Sequence, residues 1–179
     1  MGIRGGRPSM RGSTRLSARK PIPGVTPDSS TPRGPGTGTN LRSSEQRKRR
    51  ILFVCIGNSC RSQMAEGFAR VYGNDVFEVH SAGLSPAPVV QPLTVQTMLE
   101  RNISLEGQYP KGLELMTRQK FDIVVNITGQ RLNFPGDTLL TWNVRDPIGC
   151  NDGIYRDVAA ELEGLVMGLV IQAQSAMRG

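Results

Sequence analysis

Apolar positions recur along residues 51–177 in two alternating periods. Ile51-Leu52-Phe53-Val54 is a continuous apolar run, the pattern of a parallel strand buried on both faces. Residues 61–72 then place Met64, Ala65, Phe68, Ala69 and Tyr72 on one side at helical spacing, and Gly73-Asn74-Asp75 ends that helix. Val76 to Val79 predicts a second strand closed by a turn at Ser81-Ala82-Gly83. A loop carrying Pro86, Pro88 and Pro92 leads into a helix over 92–101, with proline in its first turn. Residues 111–118 predict a short helix, Phe121 to Val125 a third strand and Leu139 to Trp142 a fourth. Residues 152–177 close the chain as an amphipathic helix striped by Val158, Leu162, Leu165, Leu169 and Ala173. Gly164 and Gly168 in that helix are expected to permit close packing on the sheet. Strands alternating with helices predict a single α/β domain over 50–179, a parallel sheet of roughly four strands flanked by helices.

Composition changes the picture only before residue 50. Residues 1–50 hold twelve Lys and Arg against Asp28 and Glu45, whereas residues 51–179 hold ten against thirteen acidic residues. The formal charge of +7 therefore belongs to the leading segment, and the remainder is mildly acidic. Gly, Pro, Ser, Thr and Arg dominate residues 1–49, so burial there cannot offset the entropy of ordering. The expectation is a disordered basic tail without an apolar signal region. Arg47-Lys48-Arg49-Arg50 offers charge to an anionic surface, but a solvated tail, with no nucleic-acid partner, is the plainer reading. Three cysteines, two of them in one loop, do not suggest a disulfide framework, and a reducing cytoplasmic setting is expected. The most apolar stretch, Leu162 to Ile171, is about half the length that spans a bilayer, so no membrane partner is expected.

The chemistry concentrates in Cys55-Ile56-Gly57-Asn58-Ser59-Cys60-Arg61-Ser62, between the first strand and the first helix. In an α/β sheet that position, the carboxyl end of a strand, is where ligands bind. Loop and first-turn N–H groups at such a junction can converge on a tetrahedral oxyanion, and the same positive field favours a thiolate. Gly57 permits close backbone approach, Asn58 tolerates a left-handed conformation, Ser62 can donate to sulfur, and Arg61 offers a planar fork to two oxygens. These residues alone leave open a catalytic thiol or a non-catalytic phosphate-binding interaction module. His80, the one histidine, sits at a strand end and reads as structural. No metal-ligand spacing occurs, and no cofactor is expected. Lys111 and Arg118 border a substrate entrance or lie on a solvated face.

The loop, Ser81-Ala82-Gly83 and the later Asp146-Pro147 together resemble the low-molecular-weight protein tyrosine phosphatase family and its arsenate reductase branch, over residues 50 to about 172. The resemblance implies Cys55 as nucleophile, forming a thiophosphate intermediate. It implies Arg61 and the amides of residues 56–60 and Ser62 as the oxyanion cradle, and Asp146 as general acid and then base. Phosphomonoester hydrolysis on a phosphorylated protein or small phosphate is the favoured expectation. Arsenate reduction with an external thiol reductant, or with Cys150 as resolving thiol, is the alternative. Retention of Asp146 weighs against the binding module, since binding alone needs no acid. In relatives, Cys60 can form a reversible disulfide with the nucleophile. Two departures matter: Ile148-Gly149 stands where tyrosine phosphatases carry aromatic residues, and Asn126 to Pro135 holds no cysteine where thioredoxin-coupled reductases carry a resolving pair. Gln63-Met64-Ala65-Glu66 and Trp142 match the reductase branch.

Overall fold

The computed structural model describes residues 47–178. Their elements run β1 (Arg49–Cys55), α1 (Arg61–Tyr72), β2 (Phe77–Gly83), α2 (Pro92–Leu99), a single 3-10 turn (Leu113–Met116), β3 (Ile123–Asn126), β4 (Thr138–Thr141) and α3 (Asp152–Arg178). All strand pairs are parallel and the sheet order is β2-β1-β3-β4. The chain thus leaves β1 through α1 to one side and returns through α2 to the other. This reversal makes the carboxyl end of β1 the topological switch point of the sheet, where a cleft opens between diverging connections.

Strand β1 is central and its alternation divides the core. Ile51, Phe53 and Cys55 face α1, α2 and α3, packing with Met64, Phe68, Met98, Tyr155, Val158, Leu162, Val166 and Val170. Leu52 and Val54 face the other way, onto Ala82, Met116, Phe121, Val124, Leu132 and Phe134. The three α-helices therefore contribute to one face, and the 3-10 turn and connecting loops cover the other. Phe53 and Phe68 are wholly buried, each contributing about 2–3 kcal/mol of apolar transfer.

The structure departs from the sequence pattern in five respects. The SAG segment belongs to β2 instead of a turn beyond it, because Ser81, Ala82 and Gly83 continue the ladder opposite Phe53, Val54 and Cys55. The 111–118 helix is reduced to one 3-10 turn, and β3 begins at Ile123, two residues after the expected start. The buried stripe of α3 runs Val158, Leu162, Val166, Val170 and Ala173, while Leu165 and Leu169 are only partly buried. Gly164 and Gly168 correct an expectation: nothing lies within 4 Å of a Cβ built on either, so they face open space and not the sheet. None of the helices in the described residues is long and apolar enough to cross a membrane.

Most of the expected tail lies outside the described residues, but its last three residues do not. β1 begins at Arg49, and Arg47 donates to both carboxylate oxygens of Asp122, at 2.9 and 2.6 Å. The Arg50 amide adds a third bond to Asp122 at 2.6 Å, and the Arg50 side chain pairs with Glu78 at 3.1 Å. Part of the Arg47–Arg50 charge is thus answered within the fold. The Arg47 guanidinium, with the Arg50 amide, holds the Asp122 carboxyl at about 2. Its contribution to stability is then complete above the ordinary value near 4 and disappears as pH falls toward about 2. Asp122→Asn is expected to lower stability by about 1 kcal/mol at neutral pH. Denaturant titrations of the two proteins should converge in acid; a constant difference down to the acid limit would refute the assignment.

Candidate active site

Residues 56–60 bridge β1 and α1, with the carbonyls of Ile56, Gly57 and Ser59 turned toward the segment that follows β2 and those of Asn58 and Cys60 bonded to α1. Leu84 N–H donates to the Cys55 carbonyl at 3.1 Å, and the amides of Ser85, Ala87 and Gln91 donate to the carbonyls of Ile56, Gly57 and Ser59, each at 2.9 Å. Segment 84–91 is in this way stitched along the outer rim of the loop, which leaves the loop amides for its interior. Asn58 N–H lies 3.2 Å from Cys55 Sγ, and Ser62 Oγ lies 2.9 Å from the same sulfur. At the start of α1, Cys60 makes no side-chain cap and the first turn holds no acidic residue, so its N–H groups remain available to an anion.

Asn58 organises this loop. Its φ of 45° is left-handed, a region a side chain with its own hydrogen-bonding atoms can hold. Its Nδ2 donates to Ser62 Oγ and to Ser81 Oγ, both at 2.8 Å. Its Oδ1 accepts from the Lys111 amide at 2.7 Å and from Gln63 Nε2 at 3.1 Å. Gln63 Nε2 also reaches the carbonyls of Asn58 and Tyr109. Ser81 Oγ donates in turn to Glu66, a carboxylate at the first helix's buried face that also pairs with Arg70 and Lys111.

Arg61 is almost fully buried. Its Nη1 donates to the carbonyls of Ile127 at 2.9 Å and Val144 at 3.2 Å, and its Nη2 pairs with Asp146. Two loops that follow β3 and β4 are thereby gathered on one guanidinium. Asp146 is partly exposed and accepts from the Ile148 amide at 3.2 Å, a local turn that sets its side chain. Cys55, Ser62, Arg61 and Asp146, 91 residues apart in sequence at the extremes, thus converge at one end of the sheet.

The remaining expectations separate. Burial pushes the Cys60 thiol up to about 12, so in this state it is a protonated, packed side chain beside Thr94. Cys150 is half-buried in the turn after Asp146, with its sulfur 3.6 Å from an Arg145 nitrogen. Trp142 packs tilted against Phe53 with ring centroids 5.8 Å apart. His80 pairs with Glu78 and stacks edge-on against Phe121, away from the cysteine loop. Arg118 stands before β3, at the opposite end of the sheet. Among the described residues, no group of three or more His, Cys, Asp or Glu side chains could hold a metal ion. The support formed by Glu66, Ser81, Gln63 and Lys111 went unread from sequence. The available signal was a pair of polar residues, Gln63 and Glu66, among the apolar positions of a helix that lies buried along 61–69.

Residues 50–134 match the model of the low-molecular-weight phosphotyrosine protein phosphatase family. The glutaredoxin arsenate reductase of Synechocystis sp. is 32% identical over 127 residues, 68% of this chain and 96% of that protein. The chain belongs to the low-molecular-weight phosphotyrosine protein phosphatase family. It is accordingly an enzyme, of the cysteine-based kind that comprises phosphatases and arsenate reductases. Among solved structures, an arsenate reductase in its phosphate-binding state is similar, with a TM-score of 0.65, 32% identity, and coverage of 70% of this chain and 98% of that one. The YwlE arginine phosphatase with a phosphorylated active-site serine gives a TM-score of 0.62 at 28% identity, covering 72% and 98%.

One close approach shapes the family loop in this chain. A Cβ on Gly83 would stand 2.7 Å from the Ile56 carbonyl oxygen and 2.8 Å from the Asn58 nitrogen. Both contacts are backbone and cannot yield cheaply. Gly83→Ala is expected to cost about 2 kcal/mol in denaturation and to weaken inorganic phosphate binding about tenfold or more by calorimetry. Unchanged phosphate affinity would show that β2 does not shape the cradle.

Proposed function

We propose that the protein hydrolyses phosphomonoesters through a thiophosphate intermediate on Cys55. The observation that carries this reading is the Arg61–Asp146 contact, which brings the oxyanion-binding guanidinium and a carboxyl group together beside the cysteine loop. Asp146 is paired with Arg61. An arriving phosphate takes the guanidinium and the inward amides, and the displaced carboxyl then faces the leaving oxygen. The Cys55 thiolate, held by Ser62 and the Asn58 amide, attacks phosphorus in line. The phosphorus–oxygen bond of the ester breaks, and Asp146, which takes up a proton from solvent once it has left Arg61, delivers that proton to the departing oxygen. In the second step Asp146 takes a proton from water, which attacks phosphorus and returns the thiolate and inorganic phosphate. Arg61 and the loop amides hold the three equatorial oxygens throughout.

Arsenate reduction is the second reading, favoured by the names of the relatives. There the Cys55 thiolate would bond arsenic while an arsenic–oxygen bond breaks and that oxygen leaves as water, and a second thiolate would attack the Cys55 sulfur. The sulfur–arsenic bond breaks, arsenite leaves with two electrons, and a disulfide remains. The segment after β3 supplies no such thiol: Asn126, Thr128 and Gln130 close it with mutual hydrogen bonds, and it holds no cysteine. The second thiol would be an external one, or Cys150.

Purified protein assayed on p-nitrophenyl phosphate, on phosphoarginine, and for arsenate-dependent NADPH oxidation with glutathione, mycothiol and thioredoxin systems separates these. Phosphate release abolished by Cys55→Ser is the expected result; arsenate turnover without phosphatase activity reverses the order of the two readings. Asp146→Ala should lower kcat by about 10²–10⁴-fold while inorganic phosphate binds more tightly, because its competitor for Arg61 is gone. Weaker phosphate binding in that variant would contradict the displacement step.

A further inference from the structure

We infer that the open edge of β4, with the cavity beside it, is a docking strip for an extended, acidic segment of a phosphorylated polypeptide. The inference rests on the phosphatase reading and names the substrate class that the same site would take.

β4 pairs with β3 alone and ends one side of the sheet. The amides of Thr138 and Trp142 donate inward, to the carbonyls of Asp122 and Asn126. Residues of a parallel strand face its two neighbours in turn, so Leu139 and Thr141 point their backbone groups outward, away from β3. Both residues are exposed, and only Leu140 of the strand is not. Proteins usually blunt such an edge with a proline, a lysine or a bulge. Thr138-Leu139-Leu140-Thr141 carries neither residue, and its register against β3 is unbroken. An extended peptide laid along it meets two outward residues, each with one donor and one acceptor.

The same strand walls a cavity of about 620 Å³. Leu139 and Thr141 line it together with Gln130, Leu132 and Asn133 of the segment after β3. Arg131 lines it too, is exposed, and joins no ion pair among the described residues. That free guanidinium selects an acidic side chain in the occupant. The cavity is continuous with the phosphate site. Its lining extends through Trp142 to Asn143, three residues before Asp146, and Ile127 in the segment after β3 holds Arg61. A strand added to β4 lies three strand spacings from β1, about 14 Å, which roughly four residues of extended chain cross. A second copy of the chain is a poorer occupant. Four residues of edge offer a strip about 13 Å long, a small part of the roughly 1,200 Å² that a stable interface buries. Transient capture of a substrate needs no more.

Trp142, the chain's one tryptophan, lines the cavity, so its emission reports an occupant without turnover. Full-length Cys55→Ser protein is titrated with a peptide carrying phosphotyrosine between two flanks of about ten residues, glutamate at alternate positions. The expected result is an emission change that inorganic phosphate does not reproduce. N-methylation of alternate amides on one flank should weaken binding about tenfold, and methylation of the intervening amides should not. Arg131→Glu should reverse the preference for glutamate over lysine in that flank. Leu139→Pro, shown folded by circular dichroism, removes one outward N–H and should lower the ratio of kcat/KM on the peptide to that on p-nitrophenyl phosphate about tenfold. Binding indifferent to flank and methylation would overturn the proposal. A dimer in sedimentation that Leu139→Pro dissolves would do the same, by giving the edge to a second copy. Hydrolysis of p-nitrophenyl phosphate by the unaltered protein separates the two readings. Its absence with flank-dependent binding intact discards the hydrolysis, whereas its presence without flank dependence discards only the docking strip.

Discussion

A backbone that must turn its amides inward has to send its carbonyls somewhere, and this enzyme solves that problem with Asn58. The residue sits in the left-handed region at φ 45° and reverses the loop. Both polar atoms of its side chain are bonded, to four different residues on three different segments. The outward carbonyls then find donors on segment 84–91. Loop shape, sulfur environment and the seating of β2 against the loop all follow from this one residue's being held. Gly83 is the counterpart of that constraint, a position where the neighbouring strand must carry no side chain at all.

The second organising contact is longer in range. Arg61 ties the ends of β3 and β4 to the start of α1 through Ile127, Val144 and Asp146. A guanidinium this deeply buried is tolerated because each of these partners accepts a hydrogen bond from it. It is at once a structural rivet and the proposed anion receptor.

The strands and two long helices were legible in sequence because buried β1 reads as an unbroken apolar run and α1 and α3 keep a helical period. The cysteine loop and Arg61 were legible for a related reason: polar residues between a buried strand and a helix have few tasks other than binding. What escaped depended on tertiary context. The 111–118 region forms only one 3-10 turn because the Lys111 amide and carbonyl are committed to Asn58 and Gly83. Gly164 and Gly168 read as packing residues, yet the buried stripe of Leu162, Val166 and Val170 lies two positions from each and so on the far side of the helix. Lys111 read as an entrance or solvated-face residue and Glu66 only as part of the reductase-branch match, since their shared ion pair joins segments 45 residues apart.

Helix α3 begins six residues after Asp146 and runs for 27 residues, about 40 Å at 1.5 Å per residue. Its far end reaches Arg47 and Arg49, where Ala173, Ala176 and Met177 line a shared depression with them. The proposed acid is thus mounted on the near end of a stiff rod, and the first strand's basic beginning abuts the far end. Sliding that rod by a single residue would carry the acid loop about 1.5 Å, more than a proton transfer tolerates. The seating of Val166, Val170 and Ala173 is therefore a matter of catalytic alignment as much as of stability, and conservative changes in a distant hydrophobic seam become able to detune the chemistry.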